Sequence, residues 1–232
     1  MKILAFDTAS SACSAAVWRD GHVAARRFER MDRGQSEALI PMVVAALADA
    51  GEAMAGLDVI AVTVGPGTFT GLRIGLAAAK GFSLAACIPC LGVTTLEAVA
   101  LAVPASDRRC AALLVALETK RDDVYAQVFD PGLRPLTPPA AIAAAGLSDL
   151  VRPFTSGRLL VAGDAAARAD EALRNGGVPF ALAGGAGIPD AAHVAAIAAE
   201  RFRPGIELPP LAPLYLRPPE AILPVAGGRL RP

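Results

Sequence analysis

The glycine-rich stretch at 65–81, GPGTFTGLRIGLAAAKG, is where the residue types and spacing of this chain come nearest to chemistry. A β-branched run at 58–64, then glycine and proline, then helix formers reads as strand, turn and helix. Free amides at such a helix start favour an anion. The common phosphate loops are nevertheless not met: GxGxxG requires glycine where Thr70 stands, and GxxxxGK[ST] is broken by Leu72 and Arg73 after Gly71. The glycines also have a steric reading. Gly71 and Gly75 lie one helical turn apart and are followed by Ala78 and Ala79, which lets another helix come close. At 71–86 the only charges are Arg73 and Lys80, so a solvated helix face is hard to find.

Other chemistries find less support. His22 and His193 are the only histidines, without ligand-spaced partners, which disfavours a metal site; both read as surface or capping residues. No GxSxG is present for a serine nucleophile. Cys87 and Cys90 form C-I-P-C, but redox motifs of that type precede a helix and this one ends a helix. These cysteines, with Cys13 and Cys110, read as buried thiols.

The elements that position these residues carry an anomaly of their own. In SEALIPMVVAALADA, at 36–50, Leu39, Ile40, Val43, Val44 and Leu47 form one apolar stripe, its flank is apolar too, and only Glu37 and Asp49 are charged. Pro41 either kinks this helix or sits in its first turn. Two helices apolar nearly all round are either enclosed by their own domain or shared with another chain.

At 232 residues and 54% hydrophobic content the chain can bury a large core, as one domain or two lobes. Zero formal net charge predicts no broad attraction to nucleic acid, and the cluster Arg26, Arg27, Arg30 and Arg33 reads as a solvated face. Met1 and Lys2 lead directly into ILAF with no cleavage site, and the apolar stretch at 71–91 is broken by Arg73, Lys80 and Pro89. A soluble, cytoplasmic protein is expected.

Along the chain, KILAFD, CSAAVW and HVAARRFE read as strands, followed by the 36–50 helix, the 58–64 strand, the 71–86 helix and the strand CLGV. Thr94 and Glu97 form a capping box opening LEAVALAV. The order indicates an α/β layer, with a hinge at 104–109. CAALLVAL, ETKRDD and VYAQVFD then repeat the pattern of the N-terminus: apolar strand, acidic residue (Asp7 or Glu118), polar turn, apolar strand. Internal duplication of this kind predicts two similar lobes, 1–104 and 105–217, the C-terminal end of the second packing back on the first, and a proline-rich tail at 218–232. RLLVAGDAAARADEALRNGG reads as strand, turn and helix with Gly176 as C-cap; a last helix is expected at 190–202, and PLYLR is expected to dock.

ILAFDTASSACSAAV, QSEALIP, VTVGPGTFTGLRIGLAAAKG, LGVTTLEA, VYAQVF and PLYLR together resemble the TsaB (YeaZ) family. The resemblance covers nearly all of the first half, with anchors to the C-terminus. It implies a two-lobed, actin-like ATPase fold and a non-catalytic subunit. Such a subunit pairs with TsaD and TsaE to place threonylcarbamoyl on N6 of adenosine 37 in tRNAs reading ANN codons, with ATP and a metal bound in TsaD and no cofactor bound by this chain alone. Gln35 and Leu39 stand where TsaD-like proteins carry a metal-binding histidine pair; Glu118 replaces a more usual aspartate; Asp164 sits where nucleotide-binding relatives carry glycine, and its carboxylate would repel phosphate. Asp7, Thr8, Gly65, Gly67 and Thr70 keep the form of a vestigial phosphate turn. An autonomous ATPase or kinase of the same fold would need intact turns in both lobes, and a peptidase would need a metal site or a nucleophile with its base. The two low-charge helices are expected to pack side by side and to meet the equivalent pair in TsaD through Leu39, Ile40, Val43, Leu47, Gly71, Arg73, Gly75, Ala78, Ala79 and Lys80. The same patch is self-complementary, so a homodimer is expected when TsaD is absent.

Overall fold

The computed structural model describes residues 1–109, 111–155, 157–185 and 187–217; Cys110 and the tail at 218–232 lie outside them. The first sheet holds β1 (Lys2–Asp7), β2 (Ala12–Arg19), β3 (His22–Arg30), β4 (Val59–Gly65) and β5 (Cys90–Thr94), in the order β3-β2-β1-β4-β5. The second holds β6 (Ala111–Glu118), β7 (Asp123–Phe129), β8 (Ala140–Ala143), β9 (Arg158–Ala162) and β10 (Ala181–Leu182), in the order β10-β9-β6-β7-β8. Read from the other edge, the second sheet repeats the first strand for strand. β1 and β6 each run antiparallel to the strand that follows them and parallel to β4 and β9 respectively. The sequence echo is thus a structural duplication, and Asp7 and Glu118 each end the first strand of their sheet.

Central strands read as unbroken apolar runs because both of their faces are covered. Alternate residues of β1 separate cleanly: Leu4 and Phe6 join the core beneath α1 (Gln35–Ala50) and α2 (Phe69–Ala86), while Ile3 and Ala5 join the core beneath α6 (Ala191–Arg201). α3 (Thr95–Ala102) sits between the sheets, sending Ala98 to the first and Leu96, Val99 and Val103 beyond it to the second. The second sheet is covered on its other face by α4 (Leu147–Val151) and α5 (Ala166–Asn175). β3, an edge strand, is the exception to the apolar pattern: its arginines stand exposed, which blunts the edge.

Local signals set the boundaries. The α3 capping box forms as expected, Glu97 N–H donating to Thr94 Oγ1 at 3.2 Å and Thr94 N–H to Glu97 Oε2 at 3.0 Å. α2 starts two residues before the expected Gly71, because Thr68 caps it and accepts from Gly71 N–H. Pro41 lies inside α1. Gly176 caps the C-terminus of α5 as expected, in right-handed geometry, and the left-handed glycine is the next one, Gly177, at φ 66°. Asp190 caps α6 by accepting from Ala192 N–H at 2.9 Å, and this helix, though late in the chain, packs on β1 and β2. From there an extended strap crosses both lobes. Leu214 N–H donates to Val64 O at 2.7 Å, the Tyr215 ring lies 5.5 Å from that of Phe69, and Arg217 Nε reaches Asp123 Oδ2 at 2.6 Å.

Candidate functional site

The glycine-rich loop is built against the turn that follows β1. Thr68 N–H donates to Ala9 O at 2.8 Å, and Thr8 Oγ1 donates to Gly71 O at 2.7 Å. No side chain fits between them: a Cβ on Gly67 would lie 2.4 Å from Ala9 O, one on Gly71 2.0 Å from Thr8 O, and one on Gly75 2.8 Å from Thr8 Oγ1. The glycine spacing therefore serves a close approach, but the approaching group is this chain's own turn and not a second helix. Gly65, at φ 112°, has the strap behind it, with Leu214 O 2.9 Å from the position of a Cβ.

Asp7 and Thr8, expected to face phosphate, are packed away. Asp7 is fully buried; Oδ1 accepts from Thr63 Oγ1 at 2.6 Å and from Ala9 N–H at 3.1 Å, while Oδ2 has no partner among the described residues. Burial pushes its carboxyl up to about 7 in spite of those two bonds, and the Asp190 carboxylate adds to the rise.

Between the lobes lies a cavity of about 390 Å³. Its first-lobe wall includes Ser10, Arg33, Gln35, Ser36, Gly67, Thr70, Gly71 and Thr95; its second-lobe wall includes Glu118, Thr119, Lys120, Tyr125 and Asp164. Of the five phosphate-turn residues expected, only Gly67 and Thr70 reach it. Gln35 Nε2 donates to Met31 O at 3.1 Å and Ser10 O at 3.3 Å, tying the start of α1 to the turn after β1. In the second lobe Glu118 pairs with Arg168 at 3.0 Å, and the Glu118 N–H donates to Asp164 Oδ1 at 2.8 Å. Loss of water around it and the nearby Glu118 charge hold the Asp164 carboxyl above its ordinary range.

Among the described residues no group of three or more histidine, cysteine, aspartate and glutamate side chains is placed to hold a metal. His22 is exposed as expected. His193 is not a surface residue: it lies half-buried in the first turn of α6, where burial lowers its pKa and Nδ1 has no partner among the described residues. Cys13 is buried and Cys90 half-buried, its thiol donating to Ala79 O at 3.3 Å. Cys87 corrects the buried-thiol expectation; it is exposed, because α2 ends there in a left-handed residue at φ 56°.

The ten residues expected at a partner surface divide in two. Leu39, Val43, Leu47, Gly71, Gly75 and Ala79 face inward, the leucines, valine and alanine belonging to the core over Leu4 and Phe6. They cannot touch a partner, since the sheet already takes the apolar stripe. Ile40, Arg73 and Lys80 are exposed and Ala78 half-exposed, and they are joined by two residues outside the expected set, Val44 at 61% and Leu84 at 84% exposed. Hydrophobic period alone marks the stripe that is buried; only the surplus apolar residues outside it signal a second face. Phe69, 53% exposed, continues that face, with the Arg73 guanidinium 3.7 Å over its ring.

The family model described as TsaD, tRNA N6-adenosine threonylcarbamoyltransferase, matches residues 29–153, more than half of the chain. The chain is 38% identical over 125 residues to the tRNA threonylcarbamoyladenosine biosynthesis protein TsaB of Escherichia coli, a match covering 54% of this chain and 53% of that protein. Its structure superposes on YeaZ from Pseudomonas aeruginosa with a TM-score of 0.75 at 27% identity, covering 93% of this chain and 99% of the other. The chain belongs to the TsaB (YeaZ) family. The sequence match spans only about half the length of the E. coli relative. A ROK hexokinase from Thermus thermophilus, 16% identical, aligns with a TM-score of 0.50 over 87% of this chain and all of that one. That likeness concerns fold alone, and with the duplicated sheets it gives this TsaB-family chain the two-lobed, actin-like fold.

Proposed function

We propose that this TsaB-family chain is a non-catalytic subunit of a tRNA-modifying assembly. It pairs with TsaD, and through it TsaE, in the N6-threonylcarbamoylation of adenosine 37 in tRNAs reading ANN codons. The observation that carries this reading is the second, outward apolar face of α1 and α2, where Ile40, Val44 and Leu84 remain exposed after the helices have supplied the core. A self-complementary face of this kind also supports a homodimer in the absence of TsaD. The work is cytoplasmic, where the tRNA is.

The interlobe cavity supports a supporting role over an autonomous ATPase. A nucleoside triphosphate with its metal fits these residues poorly: the Asp7 carboxylate is enclosed, the Thr8 hydroxyl is used on Gly71, and Glu118 and Asp164 would stand against the phosphates. On this reading ATP and the metal belong to TsaD, and this chain binds neither by itself. Peptidase chemistry would need a nucleophile with its base, and neither His22 nor His193 is among the residues that line the cavity. Reconstitution from purified components tests the proposal. Threonylcarbamoyl transfer should require the chain, while the chain alone should show no ATP turnover. Steady hydrolysis by the isolated chain, lost in Asp7→Ala, would contradict it.

A further inference from the structure

The two lobes are joined at both ends of α3, and the two joints differ in kind. α3 packs on both sheets and runs from Thr95, at the interlobe cavity, to Ala102, a length of about 12 Å. At the Ala102 end the joint is covalent. Val103 leads on toward β6, and the return connection from β10 to α6 lies against the same spot, a Cβ on Gly185 falling 2.9 Å from Ala102 O. Chain crossings cannot separate, so a relative motion of the lobes turns about this end.

At the cavity end the joint is made by the strap, and it is non-covalent. The strap comes from α6, which packs on the first sheet, and Leu214 N–H fixes it to Val64 O in β4 at 2.7 Å, with Tyr215 against Phe69 at the start of α2. Two residues on, Arg217 reaches the second lobe: Nε donates to Asp123 Oδ2 at 2.6 Å, Nη2 pairs with Oδ1, and the guanidinium lies 5.8 Å from the centre of the Tyr125 ring. Asp123 also accepts from Thr119 Oγ1 at 2.8 Å, and both Thr119 and Tyr125 line the second-lobe wall of the cavity. The Arg217 and Asp123 side chains are only 21% and 23% exposed, so their pair escapes much of the screening that weakens surface pairs. We propose that the strap is a latch on the interlobe cavity: the Arg217–Asp123 pair holds the second-lobe wall against the first, and its release lets the lobes part about the far end of α3. The latch is a property of this chain by itself and does not depend on the assembly reading.

Spin labels on Ser36→Cys and Lys120→Cys, exposed positions on opposite walls of the cavity, report its width by double electron–electron resonance in the full chain with Cys87 and Cys110 changed to serine. The otherwise unsubstituted chain should give one short distance. Arg217→Ala should add a longer one and raise the ratio of open to closed molecules about tenfold, the size of one hydrogen bond to a charged group. Tyr215→Ala loosens the strap from the first lobe and should act in the same direction, which keeps the test intact if Arg217→Ala does not fold. Arg174→Ala removes an exposed pair on α5, away from the strap, and should leave the distance unchanged. The same distance distribution before and after Arg217→Ala and Tyr215→Ala in folded chains, or an equal broadening in Arg174→Ala, would overturn the proposal.

Discussion

In the first lobe the turn after β1 is packed shut, whereas in the second the corresponding turn after β6 stays open to water. Both turns follow an acidic residue at a strand end, on sheets of the same topology. The difference lies in the helix each turn meets. α2 offers Gly67, Gly71 and Gly75 along its approach, and the backbone of Thr8 and Ala9 settles onto them. α5 begins with alanines, and the one glycine before it, Gly163, takes up the carbonyl of Ala116 within the strand and not the turn. Asp7 is therefore enclosed, while Glu118 remains in a partly exposed pair with Arg168. One duplicated frame thus carries a closed turn in its first lobe and an open, charged turn in its second.

Substitution of a closing glycine should break the contrast most severely. In Gly71→Ala the new methyl would meet the Thr8 carbonyl oxygen at 2.0 Å, and backbone cannot swing away as a side chain can. A loss of more than about 4 kcal/mol, enough to unfold a domain of ordinary stability, is expected in urea denaturation. A loss under about 1 kcal/mol would mean that the turn is not held there.

Asp7 sharpens the contrast through pH. Its folded carboxyl titrates at about 7 against an ordinary value of 3.8, so the folded state holds the proton more tightly than the unfolded chain. The associated stability is fully present below pH 3.8 and is lost as pH rises through about 7, by about 4 kcal/mol in all. Asp7→Asn should flatten that decline, gaining on the parent protein steadily across the window. Parallel pH–stability curves for the two proteins would contradict the buried, under-bonded carboxylate. In the open lobe Glu118→Gln should cost only about 0.5 kcal/mol, since exposed pairs contribute little, and thermal unfolding would detect the difference between the two acids.

Much of this arrangement is legible in the sequence. The duplicated strand, acid and turn pattern at 2–19 and 111–129 gives the two sheets, and the charge shortage at 36–50 and 71–86 marks α1 and α2 as doubly apolar. What spacing cannot supply is which neighbour fills a glycine gap: Gly71 and Gly75 share a face, but whether a helix or a turn lies on it depends on residues more than sixty positions away. For the same reason Leu39 and Val43 stand in the expected contact set beside Ile40, whereas packing on the sheet buries those two and leaves Ile40 and Val44, one position along, exposed. The half-buried histidine at 193 and the Thr95 hydroxyl, unbonded among the described residues, carry no local signal, because both arise from elements brought together by the fold.

The outward face of α1 and α2 carries Ile40, Val44 and Leu84, whereas α5 on the second sheet exposes Ala167, Glu171, Arg174 and Asn175, and the test of that face separates the two sides of these helices. Val43→Glu buries a charge in the core and should simply unfold the protein, as loss of circular dichroism. Val44→Glu with Leu84→Glu changes only exposed positions and should leave fold and melting temperature nearly unchanged. The decisive measurement is sedimentation of this double variant with TsaD. The predicted result is a folded chain whose complex is weakened at least a hundredfold, with tRNA threonylcarbamoylation lost in proportion. A folded double variant that binds TsaD with the affinity of the parent would contradict the account.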